Sequence, residues 1–192
     1  MTDDDRWLER WLPLLAERAA ALRVLELGCG DGRDTRFLVA AGLQVIGVDN
    51  ATAQIEAARQ AAPAAEFRCA DFRAALPFAA GEFGAIVASL CLHYFAWDET
   101  VRIVAQIREW LRPRGVLLCR VNSTSDSHYG ASGHPAIADN FYRVNGAPKR
   151  FFDAAALGAL FDQGWTVLSA EERTIDRYPL PKVIWEVALE RA

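Results

Sequence analysis

Three glycines spaced two residues apart follow a short apolar run, with acidic side chains around them. The stretch is VLELGCGDGRD, residues 24–34, and its glycines are Gly28, Gly30 and Gly32. Glycine tolerates a positive φ and lets a ligand approach the backbone closely. The spacing therefore predicts a ligand-binding loop, although a tight turn without a ligand is the alternative. The acids in and beside the loop are Glu26, Asp31 and Asp34.

Two further acids stand where the next apolar runs end. Asp49 lies about 20 residues after the glycines, a position from which a carboxylate can accept both hydroxyls of a ribose. Asp71 is followed by Phe72, and an acid beside an aromatic ring can meet the amino group and the face of a purine. Each acid also has a plain structural explanation, Asp49 as a helix cap and Asp71 as a turn residue.

The charge of the loop indicates which nucleoside-containing ligand it suits. The dinucleotide fingerprint G-x-G-x-x-G needs a third glycine where this chain has Arg33, and a pyrophosphate prefers a helix N-terminus free of anions. The acidic loop instead favours a ligand with positive charge. S-adenosylmethionine carries an ammonium and a sulfonium besides its adenosine. A nicotinamide-dependent oxidoreductase and a non-catalytic binding module remain the alternatives.

Strands and helices that alternate along the chain must position these residues. Apolar runs predict strands at 23–28, 44–49, 65–71, 83–89, 115–122, 165–174 and 182–191, and amphipathic patterns predict helices at 4–20, 35–42, 52–62, 97–111 and 152–165. The order predicts an α/β fold, a Rossmann-like doubly wound sheet of about seven strands with helices on both faces. The sheet is expected to be mostly parallel with an antiparallel closing strand.

Length and composition restrict the function classes. A chain of 192 residues fits one domain, 1–192, and its net charge of −4 gives no general attraction to nucleic acid or anionic lipid. No apolar run approaches the ~20 residues of a membrane span. The absence of a signal-peptide pattern and of close cysteine pairs predicts a cytoplasmic protein with reduced thiols and no metal site. Whether it is a monomer or a dimer is left open.

The chain resembles the class I S-adenosylmethionine-dependent methyltransferases, with a length and layout closest to the tellurite-resistance type. ELGCGDG resembles the family's acid-x-G-x-G-x-G motif, and DNATAQIEAA resembles the stretch after the second strand, with Ala51 and Gln54 replacing a serine and a methionine. CADF, ASLCLHYF and LRPRGVLL resemble later family segments in order and spacing. The implied cofactor site comprises Glu26, Gly28, Cys29, Gly30, Gly32, Arg33, Asp49, Asn50, Asp71, Phe72, Ser89 and Leu90.

The methyl acceptor is expected to be a small molecule. The motif N-P-P-Y of amino-group methyltransferases is replaced by SLCLHY, and no basic stripe for nucleic acid is present. His93 is interpreted as a polar wall of the acceptor pocket, with a general base as the alternative. Residues 122–150 form a long irregular stretch that is predicted to be a lid. The candidate acceptor residues are His93, Tyr94, His128, Tyr129, Tyr142 and Arg143.

Overall fold

Strands and helices alternate along the chain as the sequence predicts. A computed structural model describes residues 6–74 and 76–192. The strands are β1 (Arg23–Leu27), β2 (Val45–Asp49), β3 (Glu66–Cys69), β4 (Phe83–Ser89), β5 (Leu111–Asn122), β6 (Ala136–Ala138), β7 (Phe141–Val144), β8 (Ala147–Arg150), β9 (Trp165–Ile175) and β10 (Lys182–Arg191). The helices are α1 (Leu12–Arg18), α2 (Arg33–Ala40), α3 (Thr52–Ala61), α4 (Trp97–Trp110) and α5 (Ala154–Leu160), with 3-10 turns at Glu9–Trp11 and Leu92–Tyr94.

A seven-stranded sheet forms the centre of the molecule, in the order β3-β2-β1-β4-β5-β10-β9. The first five strands in this order are parallel, whereas β10 is antiparallel to both β5 and β9. The predicted sheet is therefore confirmed. The chain moves outward from β1 to β3 and then crosses to β4, so the switch point lies between β1 and β4. Ligands of such sheets bind at the carboxyl ends of the strands beside this point.

Helices cover both faces of the sheet because the strand residues alternate between two apolar clusters. Leu25 and Ile46 face the cluster that includes the buried side of α4, whereas Val24 and Val45 face the cluster that includes Leu15 of α1. Strands buried on both faces need this near-continuous apolar sequence. The acid Glu26 lies on the second face, where an apolar residue would be expected, and is almost fully buried.

The stretch 122–150 is more regular than the sequence analysis predicts. Part of it forms a three-stranded antiparallel sheet, β6-β7-β8. A two-residue turn joins β7 to β8, and both of its residues, Asn145 and Gly146, have positive φ. Asn-Gly is the preferred pair for such a hairpin. The pair therefore indicates a β-hairpin, although the polar composition of the stretch favoured an irregular loop.

Two helices also differ from their predicted extent. The N-terminal α-helix begins at Leu12 with Pro13 in its first turn, a position where proline's missing N–H costs nothing, so Pro13 does not kink it. The predicted start of this helix, at residues 4 and 5, lies outside the described residues. The helix predicted at 152–165 is shorter in the structure, where α5 spans Ala154–Leu160. Within the described ranges, no helix has the length and apolar character of a membrane span.

Candidate functional site

The loop between β1 and α2 uses its glycines for different reasons. Gly28, Gly30 and Gly32 all have positive φ. A Cβ on Gly28 would lie 2.5 Å from the Cβ of Cys91, and one on Gly32 would lie 3.0 Å from Ala58. A Cβ on Gly30 would meet only the side-chain oxygen of Gln54, at 3.8 Å. Gly28 and Gly32 thus permit close packing of the protein, whereas the space beside Gly30 is open.

Asp49, at the end of β2, fastens this loop. Its Oδ2 accepts a hydrogen bond from the backbone N–H of Gly30 at 3.0 Å, and its Oδ1 accepts one from the N–H of Ala51 at 2.9 Å. Each carboxylate oxygen retains a second lone pair. Asp49 also lines a cavity, so the same carboxylate that orders the loop can accept hydrogen bonds from hydroxyls in that cavity.

Two adjoining cavities lie over the loop, and the predicted cofactor residues line them. The larger, of about 530 Å³, is lined by Gly28, Gly30, Asp49, Asn50, Asp71, Phe72 and Leu90, together with residues that include Gln54 and Tyr94. The smaller, of about 180 Å³, is lined by Glu26, Gly28, Cys29, Gly30, Arg33, Ser89 and Leu90. Only Gly32 among the predicted cofactor residues lines neither cavity, because it caps the start of α2.

Three acids, Glu26, Asp31 and Asp34, line the smaller cavity together with Arg33 and Arg177. Glu26 is buried and accepts a hydrogen bond from the Thr35 hydroxyl. Burial, followed by the charge of Asp34, raises the pKa of Glu26 well above its usual value, and Asp31 and Asp49 add to the effect. Neighbouring carboxylates raise one another's pKa, and a cation that binds beside them favours their ionised form. This end of the site is therefore suited to a positively charged group.

At the other end of the larger cavity, Asp71 is already paired. Its carboxylate accepts hydrogen bonds from the Arg73 side chain at 2.5 to 3.0 Å, and Arg73 lowers the pKa of Asp71. Phe72 is buried and packs edge-to-face on Phe95, with ring centroids 5.5 Å apart. The acid and the aromatic ring thus stand together where the sequence analysis placed them, with Phe95 as an additional aromatic wall.

The end of β4 brings a strained residue to both cavities. Leu90 has a φ of 54°, a left-handed conformation that non-glycine residues rarely adopt. Its N–H donates to the carbonyl of Arg120 at 2.8 Å, which holds the chain in this conformation. Such strain concentrates at functional sites, where surrounding structure maintains it.

The N-terminal segment closes the site from the second face of the sheet. The Trp7 indole donates to Asp34 Oδ2 at 2.9 Å, and the guanidinium carbon of Arg120 lies 4.4 Å from the Trp7 ring centroid. Arg120 Nε also donates to Ser89 Oγ at 3.0 Å. Trp7 thus bonds an acid that lines the smaller cavity.

His93 lies behind the larger cavity in the 3-10 turn after β4. It is 4% exposed, and its Nδ1 has no hydrogen-bond partner within the described part of the chain. Burial, followed by the charges of Lys182 and Lys149, lowers its pKa well below the usual value. His93 is therefore neutral at physiological pH. The ring of Tyr94, which lines the larger cavity, lies 4.3 Å from the His93 ring.

The loop between β9 and β10, residues 176–181, was missed by the sequence analysis. Because β10 runs antiparallel to β5, this loop lies at the same sheet edge as the glycine loop. Arg177 lines both cavities, and Tyr178 lines the smaller one. The Tyr178 ring lies 5.4 Å from that of Tyr129, whose hydroxyl bonds the backbone of Leu180.

The other acceptor residues expected from sequence do not all converge. Tyr142 pairs with Lys149 across β7 and β8, so their side chains share one face of the small sheet. Arg143 points to the opposite face, is exposed and donates to the Gly146 carbonyl at 3.3 Å. His128 is exposed. The structure thus brings Tyr142 to the side of Lys149 and leaves Arg143 and His128 away from it.

Comparisons with known proteins find similarity to methyltransferases. Residues 24–115 match the family model described as a methyltransferase domain. The chain is 32% identical over 114 residues, 57% of its length, to a trans-aconitate 2-methyltransferase of Paracidovorax citrulli. It spans 43% of that relative's length.

Solved structures share the fold at low sequence identity. An S-adenosylmethionine-dependent methyltransferase of Methanosarcina mazei superimposes with a TM-score of 0.78 at 18% identity, covering 88% of this chain and 92% of the other. The 1,6-didemethyltoxoflavin-N1-methyltransferase of Burkholderia thailandensis, crystallised with its substrate and S-adenosylhomocysteine, gives 0.72 at 19% identity, covering 98% and 81%. These likenesses concern the fold.

Proposed function

We propose that this chain, which is similar to methyltransferases over residues 24–115, is a class I S-adenosylmethionine-dependent methyltransferase that transfers the methyl group of S-adenosylmethionine to a small-molecule acceptor. The observation that carries this proposal is the acidic, glycine-lined pair of cavities at the switch point. A nicotinamide dinucleotide suits the site less well, because its pyrophosphate would face Glu26, Asp31 and Asp34.

The residues present fit the proposed cofactor. The open space beside Gly30 is a cradle that a Cβ would begin to fill, and it lies between the acids and the aromatic pair. We assign the ammonium of the cofactor to the field of Glu26 and the ribose hydroxyls to Asp49. Phe72 would contact the adenine ring. When bound, the cofactor supplies a methyl group on a sulfonium, which is already a good leaving group.

The protein's own contribution is mainly positioning. Holding two reactants in line can supply ~7–11 kcal/mol of a reaction barrier. The hydrogen bonds of Asp49 fix the glycine loop, and the strained backbone of Leu90 places the chain after β4 against the cavity. These elements would set the donor, while the Tyr94 side of the cavity would set the acceptor.

His93 serves better as a neutral polar wall than as a general base. Two neighbouring lysine charges and burial oppose its protonation, so it is a weak proton acceptor. Its unpartnered Nδ1 can instead exchange a hydrogen bond with an acceptor molecule. Base catalysis is needed only when the methyl-accepting atom must lose a proton.

The small-molecule nature of the acceptor is supported by similarity and charge. The relative from Paracidovorax citrulli is named for a small acid, and the net charge of −4 does not favour nucleic acid. Residues 122–150 are proposed to be a lid over the acceptor, because β8 packs against the 3-10 turn that holds His93. We propose a cytoplasmic location on the composition alone.

Calorimetry and turnover together test the proposal. We expect S-adenosylhomocysteine to bind the full chain and NAD to give no measurable heat. Release of S-adenosylhomocysteine from S-adenosylmethionine is then measured across a panel of small acids, phenols, amines and thiols. Binding without turnover on any class would favour a non-catalytic module, and binding of NAD alone would overturn the proposed function.

A further inference from the structure

Two walls of the smaller cavity are joined behind it by an indole and a guanidinium. Asp34, in the first turn of α2, and Ser89, at the end of β4, both line this cavity. The Trp7 indole N–H donates to Asp34 Oδ2 at 2.9 Å, and Arg120 Nε donates to Ser89 Oγ at 3.0 Å. The guanidinium carbon of Arg120 lies 4.4 Å from the centroid of the Trp7 ring, so the two contacts are connected.

These connected groups are buried although they are polar. Arg120 is fully buried, and Trp7 and Asp34 are almost so. Where water is excluded, a cation–π contact and a hydrogen bond to a carboxylate are stronger than at the surface. Neither Trp7 nor Arg120 lines the two cavities over the glycine loop. Each of them therefore acts on a ligand there through the side chain that it contacts.

The indole holds Asp34 in place without adding a charge. Glu26 and Asp31 line the same cavity as Asp34, and neighbouring carboxylates repel one another. A hydrogen-bond donor stabilises Asp34 at the cavity wall against this repulsion. The indole N–H is a neutral group that only donates, and the rigid ring fixes its position. A cationic side chain in place of Trp7 would reduce the negative charge that a ligand ammonium meets.

We propose that Trp7 is a positioning residue of the donor site, whose indole N–H holds the Asp34 carboxylate at the wall of the smaller cavity for the ammonium of the cofactor. Arg120 in turn holds the indole ring. This inference rests on the proposed binding of S-adenosylmethionine. It extends the donor site to the segment before α1, outside the residues 24–115 that match the methyltransferase domain model.

The same segment contains a matched control. The Trp11 indole also donates to a buried carboxylate, Glu186 Oε1, at 3.2 Å, and its ring centroid lies 4.6 Å from the guanidinium carbon of Arg10. Glu186 lines neither of the two cavities over the glycine loop. Trp11→Phe therefore removes the same kind of hydrogen bond as Trp7→Phe, but from an acid outside the proposed cofactor site.

Calorimetry with two ligands tests whether the indole acts on the amino acid end of the cofactor. S-adenosylhomocysteine carries that end, whereas 5′-methylthioadenosine has the same adenosine and thioether without it. Trp7→Phe keeps an aromatic ring beside Arg120 and removes the N–H. We expect it to weaken S-adenosylhomocysteine binding about tenfold, the lower end of the scale for a hydrogen bond to a charged group. Its affinity for 5′-methylthioadenosine, and both affinities of Trp11→Phe, should stay within about twofold.

Nuclear magnetic resonance of the unaltered chain gives a test that does not depend on the folding of a variant. The chain has six tryptophans, and ¹⁵N labelling gives one indole N–H signal for each. We expect S-adenosylhomocysteine to shift the Trp7 signal more than the Trp11 signal. 5′-Methylthioadenosine should shift the Trp7 signal much less, because it places no ammonium beside Asp34.

The outcomes separate this inference from the proposed function. Failure of S-adenosylhomocysteine to bind the unaltered chain would contradict the proposed function. Normal binding that Trp7→Phe leaves unchanged would overturn the positioning role alone. Equal losses for the two ligands, equal losses in the two variants, or a Trp7 signal that S-adenosylhomocysteine does not move would also overturn it. If Trp7→Phe does not fold, the signals of the unaltered chain decide.

Discussion

The carboxylate of Asp49 bonds the backbone N–H of Gly30 across two strand ends, at 3.0 Å from Oδ2. The acid that is assigned to the ribose thereby also holds the glycine loop in its ligand-accepting conformation. Loss of this one side chain should therefore remove a ligand contact and loosen the loop at the same time.

Asp49→Ala is expected to weaken S-adenosylhomocysteine binding by about 1.5–3 kcal/mol, since hydrogen bonds to a charged group are lost. Calorimetry on the folded variant measures it. Asp162→Ala is the control, because Asp162 is exposed and lines neither cavity. A change below threefold for Asp49→Ala would contradict the ribose assignment.

Alanine at two glycines should separate folding from binding. Gly28→Ala is expected to destabilise the protein by about 2–5 kcal/mol, because the new Cβ meets Cys91 and the positive φ is strained. Gly30→Ala should cost only about 1–2 kcal/mol for its φ. It should nevertheless lower cofactor affinity at least about tenfold, since its Cβ enters the open cradle. Denaturant unfolding measures the stability of each variant, and calorimetry measures its cofactor affinity. Similar losses of stability and of affinity in the two variants would contradict the different roles of Gly28 and Gly30.

Cofactor binding should depend on pH through Glu26. Because its pKa is raised, the folded protein holds the proton of Glu26 more tightly than the unfolded chain does. The free energy of unfolding therefore falls as the pH rises above 4.5 toward the raised pKa. A ligand ammonium favours the ionised carboxylate. S-adenosylhomocysteine should therefore bind more tightly with rising pH in this window and release a proton.

Calorimetry in two buffers of equal pH but different ionisation enthalpy measures that proton. Asp34, Asp31 and Asp49 face the same field and add to the effect. Glu26→Gln should reduce the proton release and flatten the pH dependence. Unchanged proton release in this variant would assign the titration to one of the other acids.

The proposed lid should act on the acceptor rather than on the cofactor. Tyr142→Ala is expected to raise the acceptor's KM or lower kcat while S-adenosylhomocysteine affinity stays within about threefold, under ~1 kcal/mol. Its side chain shares a face with Lys149. Arg143→Ala, on the opposite face, should have the smaller effect. Equal effects of the two variants would contradict the proposal that the acceptor contacts the face of the small sheet that carries Tyr142.

Hydrogen exchange provides a second test of the lid. Residues 122–150 should exchange faster than the central strands in the free protein and become protected when cofactor and acceptor are both bound. The small sheet gives part of this stretch its own hydrogen bonds, so the faster exchange is expected mainly in 123–135. Equal protection in both states would leave the stretch as a structural insertion.

The sheet, and the grouping of the candidate cofactor residues at one edge of it, could be predicted from sequence because their signals are local. The alternation of apolar runs with helical patterns predicted a mostly parallel sheet of about seven strands, and the acids Asp49 and Asp71 follow strands at the expected places. An equally local feature is the start of α5, where the side chain of Asp153 accepts the N–H of Ala156 at 2.7 Å. Each of these features depends on residues close in the chain.

The acceptor side could not be predicted in the same way, because distant segments build it. Tyr94 and Tyr178 are 84 positions apart in the printed sequence, and the antiparallel pairing of β10 with β5 brings Tyr178 to the cavities. Tyr178 was missed for the same reason. The antiparallel direction predicted for the closing strand already implied that the loop 176–181 lies at the ligand edge.

The division of the site along the chain has an evolutionary consequence. The stretch that matches the methyltransferase domain model ends at residue 115, whereas the proposed lid, residues 122–150, follows it. Arg177 and Tyr178 also follow this stretch and line the candidate cofactor cavities. Sequence changes after residue 115 would therefore reach the proposed donor site as well as the proposed lid, so the two parts of the chain cannot vary independently.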